Sequence, residues 1–241
     1  MRHDHLTRLG YAKDVDWIEY LIEVPEENTP QIEKIRRVAK YVTRHGQYRV
    51  ADVKSRKDYG PYIEKVFRLV NAAYAPLYGV IPLSDAQIKR YAKKFIPMIS
   101  PDYVCFVEDH QGELVAFGIS APSLADAFKK SRGRMFPTGW MGMLKALNKN
   151  VAADLFLIAV RPDLQGKGVN AVILNYIYDC YRKNGIRWIE TGPQLETNGK
   201  ILGQWEMFHK EQHKRRRCYL KTLSPVAVAE SPAPEKEPVT V

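Results

Sequence analysis

The sequence predicts an α/β fold of the α+β kind, in which a central mixed sheet is flanked by helices. Three observations carry that prediction. The apolar run at residues 155–160 enters a turn holding Gly166 and Gly168, then a helix-periodic stretch at 169–183. There Val169, Val172, Ile173, Tyr176, Ile177, Cys180 and Tyr181 share one face, and Asn184-Gly185 stops the helix. A second β-forming run at 186–191 follows, completing a strand, turn, helix and strand of the length a parallel crossover needs. Upstream, 103–107 and 114–119 flank the polar turn 108–113 and read as an antiparallel hairpin.

The remaining elements follow in chain order. Residues 16–24 form an apolar strand after Leu9-Gly10-Tyr11, and 29–44 an amphipathic helix with Ile32, Ile35, Val38, Ala39 and Val42 on one face. Residues 48–53 read as a strand, and 60–78 and 84–98 as helices, the second with Ser84 as N-cap. Two short helical or loop segments, 123–130 and 139–147, come before the 155–160 strand. Their Phe136, Trp140, Met141 and Met143 either line an apolar pocket or bury a surface helix. Pro225, Pro232, Pro234 and Pro238 mark a disordered tail. The expected organisation is a strand and linker helix at 1–45, one domain at 46–222, and a tail at 223–241.

Composition narrows the function. The 241 residues are 45% hydrophobic and 27% charged, enough for a sizeable core. No apolar run is long enough to span a bilayer and no secretion signal opens the chain, so a soluble, cytoplasmic protein without a membrane partner is expected. Cys105, Cys180 and Cys218 form no Cys-x-x-Cys pair and read as reduced thiols, and no His/Cys spacing suggests a metal. The net charge of +10 suits a phosphate-bearing ligand or a solvated face, and no nucleic-acid module is legible.

The strand-to-helix turn is built like a phosphate cradle. Glycines let backbone N–H groups approach an anion, and the helix start adds free donors and partial positive charge. It has neither a Gly-Lys-Ser/Thr ending nor a G-x-G-x-x-G run. The run from Val160 through Arg161-Pro162-Asp163-Leu164-Gln165-Gly166-Lys167-Gly168 instead resembles the acyl-CoA loop of the GNAT superfamily of N-acyltransferases. That loop has the pattern Arg/Gln-x-x-Gly-x-Gly/Ala after a Val-x-Pro strand end. Gln165 and Gly168 match, and Asn170 stands where the family has Gly or Ala. The order of elements over 46–222 is also similar to a GNAT domain, and Leu9-Gly10-Tyr11 with its strand resembles the end of one. That start suggests a shortened two-lobe ancestor whose strand 16–24 pairs with the remaining domain or with another copy, as a homodimer.

The resemblance implies that backbone amides of Gln165, Gly166, Lys167, Gly168, Val169 and Asn170 hold the coenzyme A pyrophosphate, with the pantetheine arm along Ile158 and Val160. It also aligns the helix beginning at Asn198, a cofactor-side residue, with one carrying a tyrosine acid seven residues later. Here that position is Trp205, whose indole N–H is no acid. Another hydroxyl such as Tyr178 or Tyr219 supplies the proton, the thiolate leaves unaided, or the domain binds acyl-CoA without turnover. Glu190, Asp154 and Glu196 are the candidate bases. Glu190 is best placed, with partial burial expected to raise its pKa, whereas Asp154 reads as a solvated strand start. The expected activity is transfer of an acyl group, most often acetyl, from acetyl-CoA or another acyl-CoA to an amine. A non-catalytic acyl-CoA-binding module and a nucleic-acid binder are the alternatives.

Overall fold

The computed structural model describes residues 2–44 and 46–223, so the tail predicted beyond 223 lies outside the described residues. In chain order the elements are α1 (Arg2–Arg8), β1 (Ala12–Glu23), α2 (Pro30–Thr43), β2 (Tyr48–Val50), α3 (Gly60–Tyr74) and α4 (Asp85–Phe95). Then come β3 (Val104–Asp109), β4 (Leu114–Pro122), α5 (Ala125–Ser131), α6 (Gly139–Asn148) and β5 (Ala152–Val160). The chain continues through α7 (Val169–Lys183), β6 (Trp188–Thr191), β7 (Gln194–Leu195), α8 (Gly199–Gln204) and β8 (Lys210–Leu220).

Among the described residues the chain divides into two compact units, 16–216 and a smaller one made of 2–15 with 217–223. In the smaller unit Lys221 Nζ donates to the Leu9 carbonyl (2.7 Å), and Tyr219 Oη lies 2.9 Å from His3 Nδ1.

The sheet runs β2-β3-β4-β5-β6-β1-β7, with β8 also paired to β1. β5 and β6 are parallel, and the other registered pairs are antiparallel, as a mixed sheet requires. Both faces are covered. Cys105, Val107, Val115 and Ala153 pack with α2 and α7, while Val104, Phe106 and Phe117 pack with Val66 and Leu69 of α3. Central strands buried on both sides read as continuous apolar runs, which is why the hairpin was legible. Thr29 caps α2 through Ile32 N–H, and Ser84 with Gln87 forms a capping box on α4.

Strand β1 finds its neighbours within the chain. Leu21, Ile22 and Glu23 lie opposite Glu190, Ile189 and Trp188 of β6, and Trp17 and Ile18 lie opposite β7. The unpaired-edge reason for expecting a homodimer is thereby removed. β5 begins three residues before the apolar run that marks it in the sequence, so Asp154 is inside the strand rather than before it.

A candidate active site where two parallel strands part

β5 stays paired with β4 as far as Val160, but its parallel pairing with β6 stops at Leu155 and Thr191. At that point β5 carries a bulge. Ile119 pairs with Leu157 and Ser120 with Leu155, which leaves Phe156 without a partner. A bulge bends a strand and disturbs its ladder, and beyond it β5 runs on to Val160 without registered pairing to β6. Gly192 N–H bonds the Leu155 carbonyl (3.1 Å), and a Cβ there would sit 3.4 Å from that oxygen, so glycine eases the turn away. Ile158 and Val160 lie beyond the bulge, half-buried. Tyr74 of α3 donates to the Ile158 carbonyl (3.0 Å), and burial pushes its hydroxyl up, keeping it a neutral donor.

The cradle follows β5 directly. Gly166 and Gly168 have φ of 78° and 84°, the left-handed region that favours glycine. A Cβ on Gly168 would lie 2.9 Å from Val38 Cγ1 and 3.2 Å from Val42 Cγ2, because α2 packs on the turn. The N–H groups of Gln165 and Lys167 bond the Pro162 and Leu164 carbonyls. Among the described residues, those of Gly166, Gly168, Val169 and Asn170 have no protein acceptor. Four donors therefore gather at the start of a 15-residue helix, a ready anion site. The side chains around them hold structure. Val169 is buried in the core, Gln165 donates to the Val160 carbonyl (3.3 Å) and accepts from Lys200 (3.3 Å), and Lys167 is exposed. Asn198 Oδ1 caps α8 through Ile201 N–H (3.4 Å).

Beneath the splay opens a cavity of ≈ 930 Å³. Its walls are apolar, with Val66, Phe67, Phe95, Phe106, Ile119 and Leu157 among them, and one end is charged by Glu19, Asp154, Glu190, Lys214 and Arg216. The sheet register explains the grouping. Asp154 and Glu190 are direct neighbours across β5 and β6, and Ala121 lies opposite Asp154 on β4. Glu19, only 3% exposed, comes from β1, two residues before Leu21, which is opposite Glu190. Lys214 pairs with Glu190 and reaches Glu19 at 3.6 Å, and Arg216 pairs with Glu19.

The environments of the two central carboxyls differ. Burial pushes Asp154 up, against a hydrogen bond from Ser123, and the charge of Glu190 adds to the rise. Burial also acts on Glu190, but hydrogen bonds with Lys214 and Glu19 and the charges of Lys214 and His213 outweigh it, leaving it lowered. The expected raised pKa thus belongs to Asp154, not Glu190, because Lys214 of β8 hydrogen-bonds Glu190 but acts on Asp154 through its charge alone, too weakly to offset burial. Nor is Asp154 a solvated strand start.

Glu19, Glu190 and His213 also bring one ligand atom each within 4.8 Å of one another. Those are donor types for a divalent cation, but Lys214 and Arg216 already neutralise the two carboxylates, and their charge opposes one. Glu196 is engaged elsewhere, by the Asp16 N–H (3.2 Å) and Arg215 (3.8 Å).

Among the other candidates, Tyr178 donates to the carbonyls of Pro25 (3.2 Å) and Glu27 (3.3 Å), and Tyr219 belongs to the smaller unit. Trp205 is 4% exposed and donates to Gln194 Oε1 (3.1 Å), a core anchor with a satisfied polar tip. Burial pushes the Cys105 and Cys180 thiols up, the latter to about 12, so both stay protonated. Tyr74, Glu19 and Lys214 are the site residues that sequence reasoning missed. No local motif surrounds them.

No family model matches the chain. A GCN5-related N-acetyltransferase from Sphaerobacter thermophilus superposes on 90% of this chain and 55% of its own, with a TM-score of 0.55 at 12% identity. The fold is GNAT-like. The element order expected of a GNAT domain over 46–222 is present, and β1 adds an upstream strand between β6 and β8. Protein YghO of Escherichia coli K12 is 22% identical over 227 residues, covering 91% of this chain and 56% of that protein. A bacterial ceramide synthase of Caulobacter vibrioides is 24% identical over 220 residues, covering 89% and 56%. The chain spans about half the length of these curated relatives.

Proposed function

We propose that the chain transfers an acyl group from acyl-CoA to the nitrogen of an amine that carries an apolar chain. One observation carries the reading: a large apolar cavity ends on carboxylates beside a splayed strand pair that leads to a backbone anion cradle. In this reading the pyrophosphate sits on the N–H groups of Gly166, Gly168, Val169 and Asn170, and the pantetheine arm lies along Ile158 and Val160. The thioester then lies near the Phe156 bulge.

Glu190, held ionised by Lys214, attracts the substrate ammonium, and Asp154, with its raised pKa, accepts a proton from it. The free amine attacks the thioester carbonyl, the carbon–sulfur bond breaks, the leaving thiolate takes a proton from the neutral Tyr74 hydroxyl, and the proton that the new amide nitrogen sheds returns to Tyr74. Tyr74 thus fills the role for which Trp205 is unsuited. The fold supports acyl transfer in general. A relative named as a ceramide synthase adds amide formation on a lipid amine to the chemistry it accommodates.

Calorimetric titration with acetyl-CoA tests the cofactor half. Binding that disappears in Gly168→Trp is expected, and equal binding by both proteins would sink the cradle assignment.

A further inference from the structure

The segment from α5 to α6 combines exposed apolar side chains with a run of cations. Helix α6 is apolar on both faces: Met143 and Leu147 turn inward, Leu147 onto the cavity wall, while Trp140, Met141 and Leu144 are 43%, 57% and 51% exposed. The loop before it exposes Met135 and Phe136 at 54% and 79%, and α5 exposes Phe128 at 45%. A helix apolar all round belongs in a core or against lipid, and a contiguous apolar patch marks an interaction surface.

Charge names the partner. Between 125 and 149 the only acid is Asp126, against Lys129, Lys130, Arg132, Arg134, Lys145 and Lys149. None of these six cations takes part in an ion pair among the described residues. Some basic groups elsewhere are neutralised, as Arg215 is by Asp16 and Lys214 by Glu190, whereas here all six are left to meet an outside anion. Exposed Trp, Phe, Met and Leu flanked by unpaired Lys and Arg match the interface of an anionic bilayer, where the rings enter the headgroup layer and the cations meet lipid phosphates.

The patch is anchored. A Cβ on Gly139 would lie 1.9 Å from the Arg134 carbonyl, so glycine alone lets the loop close against α6.

We infer that the α5–α6 segment docks this protein on an anionic membrane surface. The cavity reaches the same place, because Leu124, Ala125, Phe128 and Leu147 line it, and the partly exposed Phe128 sits at its mouth. A chain-bearing substrate would pass from the bilayer past Phe128 toward Asp154 without crossing water. That delivery role rests on the proposed reaction, whereas the docking does not. Among the described residues no helix is long and apolar enough to cross a membrane, and the docking inferred is that of a surface segment. The sequence expectation of no membrane partner rested on the absence of a spanning run, which peripheral docking does not need.

Cosedimentation with vesicles of phosphatidylcholine alone, or mixed with phosphatidylglycerol, tests the inference. The protein should bind the mixed vesicles and not the neutral ones, and lose binding as salt rises. Two double variants, Lys129→Glu with Arg132→Glu and Phe136→Ser with Trp140→Ser, should each weaken binding more than about tenfold. Circular dichroism melting confirms that both fold. Failure to bind mixed vesicles overturns the inference, as does binding indifferent to the Phe136/Trp140 variant, the behaviour of a general polyanion site. A dimer in solution dissolved by these variants, without vesicle binding, overturns it in favour of a second copy. Vesicle binding without any acyl transfer would retire the proposed reaction and leave the docking surface standing.

Discussion

The two halves of the candidate site are built from different materials. The cradle is one contiguous turn that offers backbone N–H groups, and its neighbouring side chains are committed to packing, capping or tying the loop down. The carboxylate end is assembled from side chains of β1, β5, β6 and β8, with α3 to α6 contributing to the cavity walls. A backbone site tolerates side-chain change but not an added Cβ, whereas a side-chain site responds to single-atom changes in charge. The same contrast separates what each half can recognise. In the proposed reaction the amides would grip the invariant part of an acyl-CoA, and the side chains would select the acceptor.

The sharpest way to break this contrast is Gly168→Trp, which adds bulk at φ 84° against Val38 and Val42. Acetyl-CoA affinity should fall on the order of 100-fold or more, while Lys167→Ala, at an exposed side chain, should change it little; calorimetry reads both. Next is Asp154→Asn, expected to lower kcat/KM for the amine about 100-fold or more without altering acetyl-CoA binding.

This variant also makes a stability prediction. Because burial raises the Asp154 pKa in the folded protein, the folded state binds its proton more tightly than the unfolded chain. The residue therefore costs stability as pH rises from the unfolded value through the raised one. Asp154→Asn should consequently melt higher than the parent at neutral pH, and the difference should shrink in acid. Equal melting at both pH values would contradict the assigned burial.

Ala121→Trp sharpens the other half. Ala121 lines the cavity beside Asp154, so the variant should raise KM for long-chain amines about tenfold and leave short amines unaffected, read from initial rates. A smaller effect is expected of Lys214→Met. Removing the cation that holds Glu190 low should move the acid limb of the kcat/KM profile to higher pH, because Glu190 would then protonate earlier on acidification. Smallest is Trp205→Phe, which loses the bond to Gln194 and about 1 kcal/mol of stability while leaving kcat unchanged. A collapse of kcat in that variant would restore Trp205 to the chemistry.

Much of the fold was legible because its signals are local. Helix 169–183 was bounded correctly by periodicity and the Asn-Gly stop, and the hairpin was located by its apolar runs, although its strands run on to Asp109 and Pro122. The cradle was legible for the same reason, its glycines lying within one turn. The carboxylate end was not. Glu19, Asp154, Glu190 and Lys214 meet only because β1 enters the sheet beside β6 and β8 pairs with β1, pairings of very long sequence separation. The polar Asp154 also hid the start of β5, since it interrupts the apolar run that marks a strand. Glu190 was picked out correctly as lying at the strand end, but its pKa direction depended on Lys214, a partner no spacing rule supplies. Tyr74 was passed over inside the helix expected at 60–78, which ends at that residue.

The most direct measurement is the rate of free thiol release from acetyl-CoA with a series of unbranched alkylamines, from two carbons to eighteen, in the presence of mixed phospholipid vesicles. Each methylene occupies roughly 30 Å³, about the share of one water in the liquid. The ≈ 930 Å³ of the cavity exceeds the volume of even the longest of these chains. The expected result is kcat/KM rising with chain length and abolished by Gly168→Trp. Thiol release indifferent to chain length, or none with any amine, would contradict an apolar cavity serving as the acceptor site.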